Sequence, residues 1–134
     1  MTDLSNFIPT SDTITVLLKN PTTDEYIKKD DGTEMSITVY ATHSKEYKAA
    51  MHEQTNKRIA KAQKLKKNMT FSAEDIETAT IEILAKTTKD WDVQFNKKSL
   101  KFSVAEAISL YEKLPFVREQ VAEAQEDYTS FLKL

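Results

Sequence analysis

The sequence predicts an α+β fold, an N-terminal antiparallel β-hairpin of two or three strands packed with about four α-helices. Three observations carry this expectation. Two runs near the start, Thr13–Lys19 (TITVLLK) and Met35–Ala41 (MSITVYA), alternate apolar and polar residues as half-buried strands do. The last third is written in helical periodicity: Val104, Ala107, Ile108 and Tyr111 recur at i, i+3, i+4 and i+7. Pro115 then interrupts the pattern. It cannot continue a helical ladder but suits the first turn of a new helix, so residues 103–133 read as two helices joined at a Leu-Pro-Phe corner.

Taken in order, residues 1–12 hold few apolar side chains and predict a mobile arm. Residues 13–41 form the hairpin, with Ile14, Val16 and Leu18 facing one way and Ile37, Val39 and Ala41 answering them. The excursion from Asn20 to Glu34 contains Asn20-Pro21 and Asp31-Gly32, the latter the best turn dipeptide in the chain, and has room for a short strand of its own. Ser44 is an N-cap for a long helix over 44–67, whose apolar side is Tyr47, Met51, Thr55, Ile59 and Ala62. After the link Asn68–Phe71, Ser72 and Asp75 cap a helix over 72–88, with Ile76, Ala79, Ile83 and Leu84 on one face. Trp91-Asp-Val-Gln-Phe95 and Leu100-Lys-Phe102 form an aromatic hairpin or loop over 91–102, and Val93–Phe95 is the candidate third strand. Ser103 and Glu106 make a capping box for the first C-terminal helix. Val117, Val121, Ala124, Tyr128 and Phe131 mark the stripe of the second.

Composition removes whole classes of function. With 134 residues the chain is one domain, long enough to bury a core without staples. The net charge of −2 gives no global field toward nucleic acid. Absence of cysteine excludes a disulfide framework, a thiolate nucleophile and ordinary structural zinc. A single glycine removes nearly every phosphate-cradling loop, and no cofactor is expected. The start, MTDLSNFIPTS, has neither the basic segment nor the apolar core of a signal peptide, and no run approaches a membrane span. His43 and His52 are the only histidines, and their spacing does not place them on one helix face. The serines sit at caps and turns, where backbone bonding accounts for them. An enzyme is not expected. Lys57, Arg58, Lys61, Lys64, Lys66 and Lys67 form a basic patch without an intervening acid. It contains no aromatic residue, so it reads as a solvated helix end before a phosphate-binding surface, and nucleic acid is an unfavoured partner.

The segments LAKTTKDWDVQF (Leu84–Phe95), LKFS (Leu100–Ser103) and AISLYEKLPFVREQV (Ala107–Val121) together resemble small tail assembly chaperones of long-tailed bacteriophages and prophages. A weaker likeness extends back through HSKEYKAAMHEQTNKR, for about two thirds of the chain. The resemblance implies a non-catalytic protein of the host bacterial cytoplasm, binding the tape measure protein and, less firmly, tail tube subunits. Self-association is left open by it. For such a role, apolar anchors at helical spacing are needed, and the expected partner-binding residues are Tyr111, Phe116, Val117, Tyr128, Phe131 and Leu132. Two other readings remain: a structural minor tail or head–tail protein of the virion, and a nucleic-acid-binding regulator acting through residues 57–67.

Overall fold

A computed structural model describes residues 3–65 and 72–132. The expected last residues of the long helix (66–67), the link 68–71 and position 133 of the expected C-terminal helix lie outside them. The fold is α+β. Strands β1 (Thr13–Leu17) and β2 (Ser36–Tyr40) pair antiparallel in the register Ile14↔Val39 and Val16↔Ile37. Period-two patterning therefore puts four β-branched side chains on one face. The opposite face is polar, with Thr15 and Thr38 hydroxyls 2.9 Å apart.

The third strand exists but is not Val93–Phe95. Helix α1 (Lys45–Leu65) and helix α2 (Ala73–Lys86) come first, and β3 (Thr88–Asp92) then pairs antiparallel with β2, making β2 central. No loop separates α2 from β3. Instead the Thr87 and Thr88 hydroxyls donate back to the Ile83 and Leu84 carbonyls at 2.8 Å, closing the helix with side chains. A bulge between Thr38 and Val39 absorbs the resulting misfit in register.

Residues 94–99 form their own two-stranded hairpin, β4 (Gln94–Phe95) with β5 (Lys98–Ser99). Its two-residue loop holds Asn96 and Lys97 at φ 53° and 64°, the signature of a type I′ turn. Helix α3 (Val104–Lys113) and helix α4 (Pro115–Glu126) meet at Pro115 as expected. The reciprocal capping box expected at Ser103–Glu106 closes at Ser72–Asp75, while Ser103 supplies only its own half, accepting from the Glu106 N–H at 3.1 Å. The second C-terminal helix ends at Glu126, short of the expected 133. Asp127 takes the Thr129 N–H and both neighbouring hydroxyls, and this local bonding winds Tyr128–Phe131 into a 3₁₀ turn.

The core lies between the sheet and α2, α3 and α4. Ile37, Val39 and Trp91 pack on Ile81, Leu84 and Ala85 of α2, on Ala107, Leu110 and Tyr111 of α3, and on Val117 and Val121 of α4. Trp91 donates its indole N–H to the Leu100 carbonyl at 2.8 Å and meets Phe102 edge-on, so the aromatic segment is part of the core. Among the described residues His43 Nδ1 is a buried side-chain polar atom left without a hydrogen-bond partner, while the polar groups at the sheet–helix junction are paired. Gln125 donates to the Tyr40 carbonyl and to Thr87 Oγ1 at 2.8 Å each. Thr88 spends its one proton on Leu84, so the Tyr111 hydroxyl is the donor in their 2.7 Å contact.

The excursion between β1 and β2 folds on itself through the bridges Lys19↔Tyr26 and Lys28↔Glu34 rather than a full strand. Gly32, at φ 89°, closes its tip by donating to the Lys29 carbonyl. The N-terminal arm is docked by polar contacts: Thr10 N–H to the Phe131 carbonyl, and the Tyr128 hydroxyl to the Phe7 carbonyl. Its apolar side chains Leu4 and Ile8 stay in solvent.

Candidate functional site

The long helix α1 does not bury the side that its sequence marks as apolar. It packs chiefly on α2 through Ala50 and Gln54, one residue round from the expected row. The two helices run antiparallel, as the partners Glu53–Lys86, Gln54–Glu82 and Lys57–Glu82 record. Tyr47 and Met51 consequently line a groove of about 330 Å³, whose other walls include Ala79, Ile83 and Leu84 of α2 and Ala122 of α4. Met51 is 39% exposed, Ile59 51% and Ile76 53%. Ile59 lies two turns along the Tyr47–Met51 row, and Ile76 one turn before Thr80 in the groove wall. Together they extend the apolar stripe toward the C-terminal end of α1 and the N-terminal end of α2.

Charge rims the groove. A second hollow of about 210 Å³, between Lys57, Arg58 and Lys61 of α1 and Asp75 and Glu82 of α2, shares Arg58 and Ala79 with the first. The charge of Glu82 beside Lys57 holds that ammonium's pKa above its ordinary value. Lys86, hydrogen-bonded to Glu53 at 2.6 Å, holds that carboxyl below its own. The basic patch is thus partly neutralised by acids that α2 brings opposite it, which the sequence of α1 alone does not reveal. Lys64 is exposed; Lys66 and Lys67 lie outside the described residues.

The six residues expected to bind a partner separate into two groups. Tyr111, Val117 and Phe131 are buried and belong to the core, which corrects their assignment as anchors. Burial pushes the Tyr111 hydroxyl up to about 12, so it is neutral and structural. Phe116 and Leu132 are half-buried, Phe116 against the core. Tyr128 is 47% exposed but is committed to the arm through Phe7. Apolar spacing on α3 and α4 signals the core first, because α4 lies on the sheet and α3 packs on α2 and α4.

Among the described residues, no three histidines or carboxylates are placed to hold a metal ion. His43 Nε2 lies 3.2 Å from both the Ser11 carbonyl and Asp12 Oδ1; the carbonyl only accepts, so this nitrogen carries the proton. Its ring stands edge-on to Phe131 and Tyr128, clamping the arm to the 3₁₀ turn. The space beside Phe95 and Leu100 is about 20 Å³, too small for an organic ligand. No helix among the described residues is long and apolar enough to cross a membrane.

No protein-family model matches this sequence, and searches of curated proteins and of solved structures return no significant match.

Proposed function

We propose that this protein is a non-catalytic assembly chaperone for bacteriophage tails, binding the tape measure protein, and by extension tail tube subunits, in the host bacterial cytoplasm before the tube polymerises. The groove between α1, α2 and α4 supports this reading best. An apolar floor along three helices, with Met51, Ile59 and Ile76 open beside it, is the shape into which an amphipathic helix docks. Long phage tail proteins that must stay unassembled offer such helices. The likeness of Leu84–Phe95, Leu100–Ser103 and Ala107–Val121 to tail assembly chaperones names the partner class; the groove supplies the binding surface that the buried Tyr111, Val117 and Phe131 do not.

Tagged protein recovered from cells producing the phage or prophage should carry a long helical tail protein. Purified particles, by mass spectrometry, should lack this chain. Replacing Met51 and Ile59 with glutamine should abolish the recovery at a stability cost of only about 1 kcal/mol, as both side chains are partly exposed and glutamine keeps helix propensity. Stoichiometric presence in particles would overturn the proposal in favour of a structural virion protein. Steeply salt-dependent DNA affinity would overturn it in favour of a regulator.

A further inference from the structure

The outer edge of β1 is closed off at both ends by side chains and open between them. Asp12 accepts from the Ala41 N–H and Leu18 donates to the Met35 carbonyl, both in the β1–β2 register, so even-numbered residues bond inward. By the alternation of an antiparallel ladder, Thr13, Thr15, Leu17 and Lys19 turn their N–H and C=O groups outward. At one end the Ser11 hydroxyl satisfies Thr13, taking its N–H at 3.2 Å and donating to its C=O at 2.8 Å. At the other the Gln120 amide satisfies Lys19, accepting from its N–H and donating to its C=O at 2.8 Å each. Those two bonds are the pair that a residue of a neighbouring strand would exchange. Between the brackets, Thr15 and Leu17 keep their outward groups without a partner among the described residues.

A groove of about 400 Å³ runs beside this window. Val16, Leu17 and Ala124 give it an apolar base, and Asp24, Glu123 and Asp127 line it with carboxylates. Hydrogen bonds from Thr129 and Ser130 hold the Asp127 carboxyl below its usual range, so it stays ionised. The one cation, Lys19, stacks its ammonium 5.4 Å from the Tyr26 ring centroid. Open ladder positions beside acidic walls select an extended, basic occupant. A second copy pairing edge to edge would bring its own Asp24, Glu123 and Asp127 toward these, and like charges disfavour it.

We infer that the edge Thr15–Leu17 accepts an extended, lysine- or arginine-bearing segment of a partner protein by strand addition, its helix-side basic residues facing Glu123 and Asp127. The site is separate from the groove between α1 and α2, and its occupancy does not depend on the tail-assembly reading.

The test is amide NMR of the full chain titrated with a blocked peptide of alternating lysine and threonine, roughly seven residues long to span the window and its flanks. The Thr15 and Leu17 amides should shift and exchange more slowly, and an alternating glutamate–threonine peptide should bind at least about tenfold more weakly. Leu17→Pro removes an outward N–H and no ladder bond, so it should abolish binding with the circular dichroism unchanged. Glu123→Lys, on the solvent side of α4, should weaken the lysine peptide and strengthen the glutamate one. Shifts confined to Glu123 and Asp127, or equal binding of both peptides, would overturn the inference. So would concentration-dependent dimerisation lost in Leu17→Pro, which would make a second copy the occupant.

Discussion

Gln125 joins three elements from one side chain, and its replacement measures what that junction is worth. Methionine conserves its length and volume but removes both donors. The Tyr40 carbonyl then loses the bond it accepts at 2.8 Å, and Thr87 Oγ1 loses an accepted bond while still donating to Ile83. Gln125 is 5% exposed, so water does not replace the amide. Each stranded acceptor costs about 1–3 kcal/mol, with the hydroxyl at the low end because its donated bond survives. Burying a thioether in place of an amide returns about 1 kcal/mol. The expected net loss for Gln125→Met is therefore about 1–3 kcal/mol. With a slope near 2 kcal/mol per molar urea, the unfolding midpoint should fall by about 0.5–1.5 M at unchanged slope. Gln120→Met, on the same helix, removes an equal pair of bonds to Lys19 at a half-buried edge that water reaches, and should cost only about 0.5–1 kcal/mol. Equal losses in the two variants, or a loss under about 0.5 kcal/mol for Gln125→Met, would refute the reasoning that burial decides the cost.

Two further perturbations test other parts of the fold. The folded pKa of Tyr111, about 12, lies above its ordinary value of 10.0, so the folded state binds more protons between these values and stability should fall as pH rises from about 10 to 12. Ultraviolet titration should show one late-ionising tyrosine, and Tyr111→Phe should remove it and flatten the alkaline decline in stability. Lys97→Gly should stabilise the protein by about 0.5–1 kcal/mol, since Lys97 stands at φ 64° in a type I′ turn that favours Asn-Gly; a lower melting temperature would refute that assignment.

What the sequence announced and what it hid differ for physical reasons. Pro115, Ser44 and Ser72 act through local covalent geometry and short-range hydrogen bonds, so the helix starts they mark are readable one residue at a time. The alternation in β1 and β2 is equally local. Strand β3 gives no such pattern: in Thr88-Lys-Asp-Trp-Asp92 only Trp91 is apolar, and Thr88 earns its buried place through a hydroxyl bond to Tyr111. The end of α4 at Glu126 turns on Asp127 outcompeting the helix for nearby donors, against a stripe that continued through Tyr128 and Phe131. The groove was visible as the row Tyr47, Met51, Thr55, Ile59, but periodicity alone does not tell whether a row meets a core or solvent. Here α2 seats α1 on Ala50 and Gln54, and the row is left over.

The central position of β2 also bears on the order in which the molecule should assemble. The chain leaves the sheet at Tyr40, builds both α1 and α2, and returns at Thr88, so the third strand waits on closure of a long loop that the first pair does not need. Later still is the clamp of Thr10 on Phe131, separated by 121 residues, about twice the 63 between Lys29 and Asp92, at an added closure cost of about 0.6 kcal/mol. Refolding should therefore register Ile14 and Val39 before Trp91, and Trp91 before the arm. A substitution at Trp91 should speed unfolding more than it slows folding, and the seam of Thr10, His43 and Phe131 should be the first part of the native molecule to open.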